Sequence, residues 1–103
     1  MTRNRHLPLT ETTTYILLAL TQPLHGYGAI QKITELSDGA VKVAAGTMYG
    51  AIENLLKLGW IHEVPSADKR RRVYEVTAQG QDILRQEIQR LRQLGNLATQ
   101  LGY

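Results

Sequence analysis

The spacing of apolar residues in this chain changes twice, at Gly59 and at Thr77, and these two points constrain the fold most. Up to Gly59 the apolar residues recur at three- and four-residue steps, the repeat of an amphipathic helix. Between the two points they form short β-branched and aromatic segments, and beyond Thr77 the helical step returns. The last segment before Gly59 is the most regular. Met48, Ile52, Leu55 and Leu56 fall at i, i+4, i+7 and i+8, which places them on one underside of a helix. Gly59 follows, where a left-handed cap suits glycine. The opposite face carries Thr47, Tyr49, Gly50, Glu53, Asn54 and Lys57. A glycine inside a helix costs roughly 1 kcal/mol relative to alanine. Gly50 beside an outward tyrosine therefore suggests that something large comes close to this face, and DNA fits.

The remaining segments follow the same logic. Thr10 is placed to cap a first helix, with Glu11 in its first turn and Tyr15 to Leu20 apolar on nearly every side. A second helix is expected from Gly26 to Leu36, with Ile30, Ile33 and Leu36 facing inward. Ser37-Asp38-Gly39 is turn chemistry, and Val41 to Val43 alternates as a very short strand would. Trp60 to Val64 and Val73 to Val76 read as a β-hairpin around the polar connection Pro65 to Arg72, with its register open. Trp60, opening a strand after a helix cap, is expected to pack under that hairpin rather than line a ligand pocket. Thr77 caps a last helix from Ala78 to Leu101, a rod on the order of 36 Å. Its leucines keep a seam that Glu87 interrupts, and Gly95-Asn96 is expected to bend or fray it.

Three helices, a hairpin with a basic tip and a long helix make a mainly α fold with a small β-hairpin. This is the winged helix-turn-helix plan, over residues 1–77, followed by a C-terminal helix over 78–103. In that plan the third helix enters the major groove, the second braces it, and the tip lies along the backbone.

Charge supports a polyanionic partner more by position than by amount. The chain of 103 residues has twelve Lys and Arg against nine Asp and Glu, a net charge of +3. Lys69, Arg70, Arg71 and Arg72 stand consecutively in the hairpin connection, and Arg3 and Arg5 lie near the start. Arg72 is also placed to pair with Glu63 or Glu75 across the hairpin. On the third helix, Tyr49 and Thr47 suit phosphate oxygens, and Glu53 and Asn54 suit base edges. Lys42 and Lys57 suit phosphate neutralisation, although Glu53 and Lys57, four apart, can equally form a solvated pair.

Enzymatic and metal chemistry find no footing. His6, His25 and His62 are scattered without ligand spacing, there is no cysteine, and neither serine has the partners of a nucleophile. No cofactor is expected. No apolar run reaches membrane-spanning length, and no signal peptide is read at the N-terminus, so a cytoplasmic, nucleoid-associated protein is expected. A protein-docking winged helix and a ligand-sensing scaffold are the readings from other classes.

Several short motifs occur together: Leu9-Thr-Glu with Tyr15 to Leu20, His25-Gly-Tyr27, Leu36-Ser-Asp-Gly39, Gly46-Thr-Met-Tyr49, and Leu55 through Gly59-Trp-Ile61. Arg71-Arg72, Tyr74, Thr77, Gly80 and Leu84 complete them. In this order and spacing the chain resembles the PadR family of transcriptional regulators, in its shorter subgroup with one helix after the wing. The resemblance implies a homodimeric repressor of a pseudo-palindromic operator on double-stranded DNA, often released by a small-molecule effector. It implies DNA-side roles for Tyr27, Lys42, Thr47 and Tyr49, and a wing position for Arg71 and Arg72. The last helix would pair with its mate through Leu84, Ile88, Leu91, Leu94 and Leu101. The chain departs from the family pattern in Met48, in Trp60, and in lacking an aromatic on the last helix before Tyr103, where some relatives stack planar drugs.

Overall fold

The computed structural model describes residues 3–103. The elements run α1 (Glu11–Ala19), β1 (Leu24–His25), α2 (Gly26–Leu36), α3 (Ala45–Leu58), β2 (Ile61–Val64), β3 (Val73–Val76) and α4 (Ala78–Gln100). The fold is mainly helical with a small antiparallel sheet, as the spacing of apolar residues implies.

Helix α1 is the pillar. Thr10 Oγ1 accepts from the Thr13 amide at 3.1 Å and starts it, and Ile16, Leu17 and Leu20 are completely buried between α2 and α4. Burying a side chain of this size stabilises the fold by about 1.5–3 kcal/mol, so the three together outweigh any single cap. On α3, Met48, Ile52 and Leu55 are buried as expected, but Leu56 is 39% exposed. Leu36 of α2 is likewise exposed, and Ala29 takes the buried position beside Ile33. Both leucines sit at the edge of an apolar stripe, where helical spacing alone does not separate core from rim.

The sheet corrects the sequence reading at one place. Val41 to Val43 forms no strand; Ser37 Oγ accepts from the Val41 amide at 2.9 Å, and Val43 is simply buried in the turn before α3. The third strand is β1, which pairs Leu24 with Tyr74 and His25 with Val73. The strand order is β1-β3-β2, with Ile61 opposite Val76 and Glu63 opposite Tyr74. That register is set by burial. Tyr74 and Val76 face the core, and a slip of one residue would turn both into solvent.

One corner joins α3, the sheet and α4. Gly59 ends α3 in the left-handed region at φ 75°. The Thr77 hydroxyl donates to the Gly59 carbonyl at 2.6 Å and accepts the Gly80 amide at 3.1 Å, capping α4. Gly80 lies against the Trp60 carbonyl so closely that a Cβ there would overlap it. Trp60 is a buried core residue, and His6 of the N-terminal segment lies edge-on to it with centroids 5.1 Å apart.

Helix α4 runs unbroken through Gly95 and Asn96 to Gln100, with Leu101 as its cap residue. Its first half belongs to the core through Ile83 and Leu84. Glu87, which interrupts the leucine seam, is 2% exposed yet fully bonded: Arg90 Nε and Nη2 donate to it at 2.9 and 2.7 Å, and the Leu9 amide at 3.2 Å. The Arg90 guanidinium holds this carboxyl below the usual carboxylate range, against the burial that pushes it up; the Leu9 amide and the charge of Arg3 help.

The two glycines of α4 give opposite expectations. Gly80→Ala should destabilise the fold by about 1–3 kcal/mol through overpacking. Gly95→Ala, with open space around its Cβ position, should raise stability by about 0.5–1 kcal/mol. Thermal unfolding of both variants checks the corner, and equal shifts would refute it. A second measurement addresses Glu87. Because its folded pKa is depressed, its stabilisation is present above the unfolded value of about 4.3 and is lost as pH falls through the lower folded value. Wild type should therefore exceed Glu87→Gln in stability near neutrality, and the gap should close below about pH 4. A gap that persists in acid would contradict the charged pairing.

Candidate nucleic-acid interface

The outward face of α3 carries the expected polar set. Thr47, Gly50, Glu53, Asn54 and Lys57 are all exposed, and Tyr49 is 53% exposed. Glu53 and Lys57 do not form an ion pair among the described residues, so the solvated pair is not what holds them. Ala44 precedes α3 without a side-chain cap. The first amides of this helix therefore lack the side-chain acceptor that Thr10, His25 and Thr77 supply to the other three helices. Lys42 lies just before this end and is exposed.

The space around the glycines differs from one to the next. No atom comes within 4 Å of a Cβ built on Gly46 or Gly50, so packing within the chain does not require either glycine. The glycine that Tyr49 does require is Gly26 at the start of α2: a Cβ there would stand 2.7 Å from Tyr49 Cε1. The phenol ring thus lies against the beginning of α2, bringing α2 and α3 together at their outward ends.

The tip of the hairpin is organised by Asp68. Its Oδ1 accepts the Arg70 amide at 3.0 Å, its carbonyl accepts the Arg71 amide at 3.1 Å, and Ser66 braces it at 3.3 Å. This leaves the Arg70 side chain 95% exposed and that of Arg71 62% exposed, with only loose approaches of 3.8 and 4.0 Å to Asp68. Lys69 and Arg72 are exposed as well. Among the described residues Arg72 pairs with neither Glu63 nor Glu75; His62 Nε2 is the group 4.0 Å from Glu75. Arg72 precedes β3, whose ladder begins at Val73 opposite Val64, and Glu63 and Glu75 stand opposite Tyr74 and His62 instead.

A cleft of about 470 Å³ joins these parts, lined by Tyr27 and His25 of the α2 end, Tyr49 of α3, and Arg70, Arg71 and Arg72 of the tip. Tyr27 is 60% exposed at its rim. Sequence spacing singles out neither His25 nor Gly26 for this face. The run His25-Gly-Tyr27-Gly28 holds the clue, since a side chain three residues before a helical amide is a capping position.

On α4 the structure divides the leucines. Leu84 is buried in the chain's own core and Ile88 packs partly against it. Leu91, Leu94 and Leu101 are 43%, 56% and 68% exposed. A groove of about 470 Å³ between α1 and α4 is lined by Leu9, Tyr15, Leu18, Ile88 and Leu91, with Glu87 and Arg90 at its polar end. Its aromatic residue comes from α1.

Comparison with known proteins agrees with this architecture. Similar solved structures include a PadR-like transcription factor from Bacteroides fragilis, at 20% identity and TM-score 0.74 over 88% of this chain and 89% of that one. A PadR-like transcriptional regulator from Bacillus cereus aligns at 19% identity and TM-score 0.73, over 87% and 89%. A transcriptional regulator from Clostridium thermocellum aligns at 20% and 0.70, over 90% and 93%. A comparison with curated protein sequences finds no match. The model of the transcriptional regulator PadR-like family matches residues 16–86. By that match over most of its length, the chain belongs to the PadR-like family of transcriptional regulators.

Proposed function

We propose that the chain is a homodimeric repressor that binds a pseudo-palindromic operator and is released by a small molecule. The observation that carries the DNA reading is the cleft where the starts of α2 and α3 meet the basic tip, with no carboxylate among the described residues that line it. Asn54 and Glu53 read base edges from α3, and the open space at Gly50 lets the helix backbone sink into the groove. Thr47, Tyr49, Tyr27, Lys42 and Lys57 hold phosphates around it, and Lys69, Arg70, Arg71 and Arg72 follow the backbone beyond.

The dimer reading rests on α4. Beyond Glu87 every residue of the helix except Ile88, Arg90 and Ala98 is exposed, and leucines 91, 94 and 101 lie on one heptad seam. A second copy covers that seam, with Ile88 at its inner edge and Leu84 contributing only the rim of its side chain. Two α3 helices then enter successive major grooves about 34 Å apart. The apolar groove between α1 and α4 has the lining for a small effector, with Tyr15 as its aromatic wall.

Salt titration of duplex binding tests the first part. Wild type should lose affinity steeply with salt, and the double variant Arg70→Ala, Arg71→Ala should flatten the slope by about 0.9 for each phosphate no longer neutralised. An unchanged slope would assign the tip to solvent. For the second part, wild type should sediment as a dimer at micromolar concentration, and Leu91→Asp with Leu94→Asp as a folded monomer. A monomeric wild type would remove both the dimer and the groove spacing.

A further inference from the structure

We propose that His25 and Arg71 clamp one backbone phosphate of duplex DNA between them, so that the cap of α2 and the tip of the wing grip the same group. The clamp rests on the DNA-binding reading and adds to it a residue, His25, whose visible role is to cap a helix.

Proton positions at the mouth of the cleft call for an acceptor. His25 Nδ1 accepts the Gly28 amide at 2.8 Å, closing the N-terminus of α2. Only a nitrogen lone pair can do this, so the ring proton sits on Nε2. Yet Nε2 stands 2.9 Å from Arg71 Nη1, and a guanidinium offers donors alone. With the Gly28 amide on Nδ1, two N–H groups therefore face each other across the mouth of the cleft. Neutral imidazole cannot serve both neighbours, and the Gly28 amide is fixed within α2 whereas the exposed Arg71 side chain is free to turn, so the lone pair goes to the cap. An anionic oxygen placed between the two would satisfy both donors at once, as a charge-assisted contact.

The surroundings select that oxygen's chemistry. The cleft lining adds the cations Arg70 and Arg72 and the phenols Tyr27 and Tyr49, and among the described residues it contains no carboxylate. Arg71 can retreat to admit the group, because its side chain is 62% exposed and its nearest counter-charge, Asp68, lies 4.0 Å from Nε on the other edge of the guanidinium. Tyr49 belongs to α3, so a phosphate held here is held beside the helix that reads the bases. Contacts of this kind fix register on the duplex without reading sequence.

Affinity for a random-sequence duplex two helical turns long tests the clamp, because backbone contacts need no operator. His25→Asn keeps the cap, since asparagine is as good an N-cap as any residue, but its shorter side chain withdraws the second donor. Arg71→Gln removes the charge. Each variant should keep the wild-type melting temperature and weaken duplex binding about tenfold. The double variant should be little weaker than the stronger single one, because both side chains hold one group. Additive losses, or no loss in His25→Asn, would overturn the clamp while leaving the DNA reading intact. A wild type without salt-dependent duplex affinity would overturn the DNA reading itself. Calorimetry with inorganic phosphate at constant ionic strength separates the source. Phosphate binding that His25→Asn abolishes, with duplex affinity unaffected, would assign the cleft to a free anion and overturn the proposal.

Discussion

A single hydroxyl holds the functional parts in register. Thr77 Oγ1 donates to the carbonyl of Gly59, where α3 ends, and accepts the amide of Gly80, where α4 begins. The Thr77 amide donates to the Trp60 carbonyl at 3.0 Å, and Gly80 packs against that same carbonyl. The end of α3, the residue that leads into β2 and the start of α4 therefore meet in one closely packed joint. Interiors packed this closely do not deform continuously.

Helix α4 serves two environments, and Glu87 marks the division. Before it, Ile83 and Leu84 complete the core; after it, the leucines are exposed. A buried carboxylate at this point is costly unless fully paired, and here Arg90 and the Leu9 amide pair it completely. The same contact fastens the segment before α1 to α4. His6, edge-on to Trp60 in the connection between α3 and β2, fastens it again. The described residues before α1 are thus part of the joint.

The candidate site inherits its geometry from packing of an ordinary kind. Tyr49 lies on Gly26 because α2 and α3 cross closely there, and β1 sets the start of α2 by pairing with β3. Through β3 the wing is tied to the same two residues, Leu24 and His25, that introduce α2. The cleft between tip and helix is consequently built from neighbours of one short strand. Residues far apart in sequence, His25 and Arg71, come to 2.9 Å by this route.

By itself the sequence determined everything that depends on local repetition or on a single privileged backbone position. The helical steps of Met48, Ile52 and Leu55, the left-handed Gly59, the caps Thr10 and Thr77, and the alternation of Val73 to Val76 each have a local physical cause. So the four helices, the hairpin and the exposed polar face of α3 were legible. Pairings across the chain were not. A two-residue strand such as Leu24–His25 has no period to detect, and it exists only because β3 offers it hydrogen bonds. Leu36 and Leu56 differ from their buried neighbours only in how far the next element reaches. Glu87 looked like a break in an apolar seam, and became a buried anion only where Arg90 and the Leu9 amide met it. The close approach of Tyr49 to Gly26 joins two different helices, and no local spacing announces it. Local sequence sets what each segment forms; which donors, cations and rings share one cleft is decided by distance in space.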